Sequence, residues 1–377
     1  MSRWPGKYVI GLTGNIATGK SVVRKMLEHL GAYGIDADAL SHRAIAPGAP
    51  GYQKVLDTFG KWILTPEGEI DRAKLGRVVF PDPEAMATLE AIIHPLVRQA
   101  IDILVERTQS PVIVIEAIKL LEGELKSWCD AIWVTHASPE LQLERLTTRR
   151  QLSAEEAKAR IAAQGDPQAK IDAADVVIFN EATFEKTWEQ VLEAWKRTVP
   201  RMKAAPQAAA TGAAGELHVR RAGPAQAEAI ARFISRVSNG RRAMTRMDVM
   251  AAFGEKGYLL LMNGDEIVGV LGWQVENLVA RVDDLLLDER APLEEGLSLL
   301  MSTVEEAATE LLSEALLVFL PPELARHHTL WEKMGYAPRT VKELGVSAWQ
   351  EAAMESMPSG TVLFFKQLRK DRVLRPV

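Results

Sequence analysis

The chain has 377 residues, 47% hydrophobic and 25% charged, with a formal net charge of −5, a length that exceeds one ordinary core and suits two soluble domains. The negative balance argues against nucleic-acid binding driven by bulk positive charge. No apolar run is long enough for a signal peptide or a membrane span, and the lone cysteine, Cys129, rules out an internal disulfide framework, so a cytoplasmic protein with a buried, inert thiol is expected.

Residues 8–12 read as a buried strand, 13–21 as a glycine-containing loop and 22–30 as a helix. A second short strand, 32–35, ends at Asp36-Ala37-Asp38. The β-branched run 111–115 and the apolar runs 131–134 and 176–179 continue the series, with helical stretches such as 83–107 and 139–151 between them. Strands alternating with helices predict a parallel sheet covered on both faces. The amphipathic helix 183–198 carries Phe184, Trp188, Val191, Leu192 and Trp195 at core-packing spacing. Residues 200–215 are small and polar and read as a flexible linker between domains at 1–199 and 216–377. Beyond it come a strand at 217–221, a helix at 224–235 and a hairpin of 258–262 and 267–274 about Asn263-Gly264-Asp265. Strands at 280–288, 315–320 and 361–367 and a long helix at 293–312 complete an α+β half with an antiparallel bias.

Gly14-Asn15-Ile16-Ala17-Thr18-Gly19-Lys20-Ser21 fits G-x-x-x-x-G-K-[ST] in full, between a strand and a helix. The glycines let the backbone wrap phosphate oxygens, and successive N–H groups and the positive helix end face the anion. Lys20 is placed to reach the β- and γ-phosphates, and Ser21 to offer a hydroxyl to Mg²⁺. The motif alone says nucleotide phosphate. No Asn-Lys-x-Asp segment is present to read guanine, and 112–115 leads into Glu116 where a motor ATPase strand usually ends in Asp; both favour a small kinase. Asp36 and Asp38 follow the second strand, where strand carboxyl ends line the site of a parallel α/β sheet. Either is placed to act as a base on an attacking hydroxyl, or to serve as a turn or helix cap.

The first half resembles dephospho-CoA kinase. The match runs from about residue 8 to 196 through Gly11 to Ser21, Ile35-Asp36-Ala37-Asp38, Pro47-Gly48-Ala49-Pro50-Gly51, Phe59-Gly60, Gly68 to Leu75, Val79-Phe80, Leu89 to Pro95 and a lid-like segment at 145–164. The resemblance implies a P-loop kinase with a helical acceptor and lid region. It implies transfer of a phosphoryl group from ATP, with Mg²⁺, to the 3′-hydroxyl of dephospho-CoA. It implies Asp38 as the base, Lys20 and Arg149 as cationic stabilisers with Arg145 on the same lid, and Gly14 to Ser21 as the ATP loop. Asp36, Arg72, His94 and Lys119 would contact the acceptor or its surroundings. Ile118-Lys119-Leu120-Leu121-Glu122 departs from the family's usual Pro-Leu-Leu-Phe-Glu, which blurs the acceptor contacts more than ATP binding. Another P-loop kinase acting on a nucleoside monophosphate or other alcohol, or a nucleotide-switch regulatory protein, are the alternatives.

Residues 216–377 resemble a GNAT-type acyltransferase through the hairpin, the strand after it and Leu330-Trp331-Glu332-Lys333-Met334-Gly335-Tyr336. Where that family has a glycine loop for the CoA pyrophosphate, Glu289 to Gly296 lacks the needed glycines, and Glu294 and Glu295 would repel the anion. A degenerate module that packs on the kinase half or senses another ligand is expected. His327-His328 diverge in direction and lack an accompanying ligand cluster, and Met244, Met247 and Met250 suit a core. Neither a membrane nor a nucleic-acid partner is expected; the sequence leaves the oligomeric state open.

Overall fold

The structure, a computed structural model, describes residues 3–149, 152–200 and 216–370. All but the first residue of the expected linker at 200–215 therefore lies outside the described residues. The first half runs β1 (Tyr8–Gly14), α1 (Lys20–His29), β2 (Tyr33–Asp36), α2 (Ala37–Ala44), α3 (Tyr52–Phe59), α4 (Arg72–Val79) and α5 (Pro83–Arg107). It continues with β3 (Val112–Glu116), β4 (Ala131–His136), α6 (Pro139–Arg149), α7 (Ala154–Ala162), α8 (Pro167–Asp172), β5 (Val176–Phe179) and α9 (Phe184–Thr198). The second half opens with β6 (Leu217–Arg221), α10 (Ala227–Val237), α11 (Arg246–Ala252), β7 (Gly257–Asn263), β8 (Glu266–Glu276), β9 (Val279–Leu287) and α12 (Leu293–Glu310). It closes with β10 (Ala315–Leu320), α13 (Pro322–Ala325), α14 (His328–Lys333), β11 (Ala337–Pro338), α15 (Ser347–Ser356) and β12 (Val362–Gln367).

Among the described residues these elements form two compact units, each drawing on both halves of the chain. One comprises Met1–Asp36, Gln109–Gln274 and Leu285–Leu300; the other comprises Ala37–Thr108, Val275–Asp284 and Met301–Val377.

The first unit holds the parallel sheet β2-β3-β1-β4-β5. Its strands are short and apolar on both faces, as a sheet covered by helices on each side requires. Ile10 and Leu12 of β1, Val114 of β3 and Trp133 of β4 pack with Val23, Met26 and Leu27 of α1 and Val191 and Ala194 of α9. In register, Glu116 at the end of β3 lies beside Leu12 of β1 on one side and Asp36 of β2 on the other. The sheet therefore gathers Gly14, Asp36 and Glu116 at its carboxyl edge, where ligands bind in open parallel sheets. The same unit contains β6, β7 and β8, antiparallel neighbours in that order. Gly264, with φ +59°, and Asp265 form the hairpin turn, one residue shorter than the expected Asn263-Gly264-Asp265 because Asn263 still pairs with Glu266. Ile230, Phe233 and Ile234 of α10 pack there against Tyr258, Leu260 and Val270.

In the second unit Val55, Ile63, Leu75, Val79 and Leu89 form the core of the helical region. Asp71 and Asp82 cap α4 and α5 by accepting from the second and third backbone N–H groups of each helix. The rest is a mixed sheet: β10 runs parallel to β9 and antiparallel to β12, which pairs antiparallel with β11. Leu317, Phe319, Leu363, Trp349 and Ala353 form its core.

Candidate active site

β1 leaves the sheet at Gly14 and the chain re-enters regular structure at Lys20, the first residue of α1. The intervening loop holds a tight shape. Ala17 and Gly19 have φ of +59° and +91°. A Cβ on Gly19 would run into the Asn180 amide, so a bare backbone is needed there. Thr18 Oγ1 donates to Asn15 O at 2.8 Å and lies 2.7 Å from Thr135 Oγ1. Asn180 Nδ2 donates to Thr18 O at 3.0 Å, and Thr187 Oγ1 donates to Asn180 Oδ1 at 3.1 Å. Arg145 spans two carbonyls, Ala17 O at 2.9 Å and Asn180 O at 2.8 Å. Every one of these contacts fixes a carbonyl or side chain on the rim of the loop.

Lys20 is buried, with Nζ donating to Gly14 O at 3.1 Å and Asn15 O at 3.2 Å. The ammonium thus lies across the loop's own turn, where phosphate oxygens would displace weaker carbonyl partners. The segment after α7 closes on the same place. Gln164 Oε1 accepts from the Ile16 backbone N–H, and Asn15 Nδ2 donates to Gly165 O at 3.2 Å. The Gln164 oxygen thereby takes an N–H of the kind that a phosphate loop offers an anion. Asn15 Oδ1 is buried and finds no hydrogen-bond partner among the described residues.

At the start of α1, Ser21 Oγ donates to Glu116 Oε1 at 3.1 Å. The other Glu116 oxygen accepts from Arg24 Nε at 2.7 Å, and Arg24 Nη1 reaches Glu28 at 2.6 Å. Burial alone would lower the Arg24 pKa, but Glu28, Glu116 and Asp36 outweigh it and raise it, so this arginine stays charged. Burial would raise the Glu28 pKa, and Lys25 and Arg24 pull it below the usual value. Ser21, Asp36 and Glu116 therefore present hard oxygen atoms beside the loop, the donor type that Mg²⁺ prefers.

The other sequence-expected residues divide as follows. Asp36 ends β2 half-buried, and Lys119 stands exposed in the turn after β3. Asp38 lies half-buried in the first turn of α2, a helical position where the sequence left turn and cap both open. Arg72 opens α4 and lies 3.9 Å from Glu351, both more than 45% exposed. His94 is exposed on α5 just before Pro95, which lies inside the helix. Arg149 ends α6, and its side chain lies outside the described residues. Lys20, Ser21 and Asp36 thus share the first unit's sheet edge, and Asp38, Arg72 and His94 belong to the second unit.

Sequence reasoning missed the roles of Arg24, Gln164 and Asn180, and used Glu116 only to favour a small kinase over a motor ATPase. Glu116 carried a signal: an acid closing a β-branched strand is where a phosphate-loop protein places its metal-side carboxylate. Gln164 and Asn180 carried none beyond their places in the lid-like segment and after the last parallel strand, because their contacts span roughly 150 residues of sequence.

A family model described as dephospho-CoA kinase matches residues 8–186. The chain is 46% identical over 194 residues to a dephospho-CoA kinase of Carboxydothermus hydrogenoformans, an overlap of 50% of this chain and 94% of that one. Among solved structures it is similar to dephospho-CoA kinase from Campylobacter jejuni, at 29% identity and a TM-score of 0.35, covering 51% of this chain and 97% of the other. It is also similar to an acetyltransferase of the GNAT family from Staphylococcus aureus, at 14% identity and a TM-score of 0.33, covering 41% of this chain and all of that one.

Proposed function

The chain belongs, through its first half, to the dephospho-CoA kinase family, and from that premise we propose that it transfers the γ-phosphoryl group of ATP to the 3′-hydroxyl of dephospho-CoA, giving CoA and ADP. The observation that carries this reading is the pairing of a complete phosphate loop with the Ser21–Glu116–Arg24 chain at the carboxyl edge of a parallel sheet. Phosphoryl transfer asks the protein mainly to position two reactants and to neutralise charge spreading over the transferred group.

Gly14 to Ser21 would hold the triphosphate through main-chain N–H groups. Lys20 would exchange its two loop carbonyls for β- and γ-phosphate oxygens. Gln164 would yield the Ile16 N–H to a phosphate oxygen, so nucleotide entry and movement of the 163–166 segment are one event. Mg²⁺, when bound, would neutralise the β- and γ-phosphates; Ser21 would hold it, with Asp36 and Glu116 as the nearby carboxylates. Few protein ligands are needed, since such ions keep water and phosphate oxygens in their shells. Asp38 would take the proton from the 3′-hydroxyl. Arg149, one helical turn beyond Arg145 on α6, would meet the charge developing on the transferred group. Arg72, His94 and Lys119 would line the acceptor's path.

No helix among the described residues is long and apolar enough to cross a membrane; a cytoplasmic location and a boundary between two domains at 200–215 belong to the same proposal. The test is ADP release by the full chain over a panel of acceptors. Dephospho-CoA should be used at least about 100-fold more efficiently than nucleoside monophosphates or other alcohols, a floor well below the roughly 10⁴-fold discrimination typical when a wrong substrate leaves buried polar groups unpaired. Equal use of a nucleoside monophosphate would assign a different kinase.

A further inference from the structure

The second unit joins the helix that carries Asp38 to the C-terminal half of the chain. Asp38 lies in the first turn of α2 and Arg43 in its last. Arg43 is buried, and its guanidinium leaves the kinase half altogether. Nη2 donates to Glu314 Oε1 at 2.6 Å, and Nη1 donates to the Asn277 carbonyl. Side-chain exposure is 7% for Arg43 and 1% for Glu314, so the pair is shielded from solvent and from salt.

Glu314 is itself immobilised by backbone. Its N–H donates to Leu278 O at 2.7 Å, and its carbonyl accepts from Leu368 at 2.9 Å and Arg369 at 3.2 Å. It therefore stands at the entry to β10, tied to the turn before β9 and to the residues after β12. A second, weaker tie runs from Arg72 at the start of α4 to Glu351 of α15; it is exposed and contributes little by itself.

We propose that Arg43 and Glu314 are a positioning pair, through which the C-terminal half fixes α2 and with it the Asp38 carboxylate. The proposal rests on the reading of Asp38 as the base. An eight-residue helix behaves as a short rod, and Arg43 lies five residues, about 7.5 Å of axial rise, from Asp38. Holding the far end of that rod at two points, one charged and one carbonyl, sets both its tilt and its rotation. Misplacement of a reacting group by about 1 Å costs on the order of 100-fold in rate, so a contact this distant from the chemistry matters to it. The buried fork of Arg43 also suits this use better than a lysine, because a planar guanidinium engages two acceptors in fixed directions.

The experiment is made on the full chain with Glu314→Gln, which keeps shape and one acceptor oxygen and removes the charge. Steady-state kinetics with dephospho-CoA and ATP, ATP binding by calorimetry and thermal unfolding are read together. The expected result is a kcat about 10- to 100-fold lower, with the ATP dissociation constant within about 3-fold of wild type. Arg43→Lys, which keeps the charge but not the fork, should fall between the two, and it stands in if Glu314→Gln does not fold. The deciding readout is the Asp38→Asn background. A pair acting through Asp38 causes no further loss once that carboxylate is gone, whereas a merely structural defect multiplies with it. An unchanged kcat, a parallel loss of ATP binding, or multiplicative losses would overturn the positioning role. A wild-type chain inert toward dephospho-CoA would instead overturn the functional reading on which it stands.

Discussion

Gly19 and Glu116 show how much of the site depends on single residues. With φ at +91° and the Asn180 amide pressed against it, Gly19 accepts no Cβ without moving the loop. Gly19→Ala should destabilise the fold by about 1–3 kcal/mol and abolish nucleotide binding, checked by denaturant unfolding and calorimetry with ATP. Glu116 is the acceptor for both Ser21 and the buried Arg24. Removing one partner of a buried pair typically costs about 3–5 kcal/mol, because the other charge is left uncompensated. Glu116→Gln should fall near the lower end of that range, since the amide still accepts from Arg24, and its turnover should respond abnormally to Mg²⁺ concentration; normal stability and a normal Mg²⁺ profile would detach Glu116 from the site. Cys129 is half-buried, not fully buried as its sequence reading has it. Burial first and Asp130 second push its thiol up to about 12, and Sγ donates to Leu125 O at 3.1 Å.

Periodicity made the regular elements legible, while contact partners were not legible at all. The expected helix at 83–107 and the strands at 176–179, 217–221 and 315–320 match α5, β5, β6 and β10 residue for residue. The hairpin and the long helix after it agree to within two residues at their ends. The start of α2 directly after β2 was not legible, because Asp36-Ala37-Asp38 carries turn, cap and base chemistry alike. Its helical placement puts Asp38 where a carboxylate is favoured by the helix's positive end. α1 shows a further contact that no pattern announces. His29, in its last turn, donates from Nε2 to the Phe253 carbonyl at 2.8 Å, between the rings of Trp188 and Phe253. Burial lowers its pKa against the opposing pulls of the Phe253 carbonyl and Glu28. The unfolded chain therefore binds a proton at His29 more readily than the folded one. Stability should fall as pH drops below about 6.5, the ordinary histidine value. His29→Gln, which keeps a donor at the same place, should flatten that part of a denaturation-midpoint series between pH 7 and 5; an unchanged slope would assign it to other groups.

At the scale of the whole molecule, the two halves read from the sequence contribute jointly to each compact unit. The sequence could show a kinase half, because its motifs are local and ordered along the chain. It could not show that Arg43 of that half is buried against Glu314 of the other, since 271 residues separate them and neither carries a motif. The two expected chemistries meet in one requirement, that a proton leave the acceptor hydroxyl as the γ-phosphoryl group arrives. Asp38→Asn should fold normally, bind ATP normally and lose at least about 100-fold in kcat, within the range typical of a missing general base. The most direct measurement is phosphorus NMR of the product formed by the full chain from ATP, Mg²⁺ and dephospho-CoA. A new phosphomonoester on the ribose 3′-oxygen is expected, in amounts equal to the ADP released. ADP without that ester, or an ester at another oxygen, would contradict the proposed transfer.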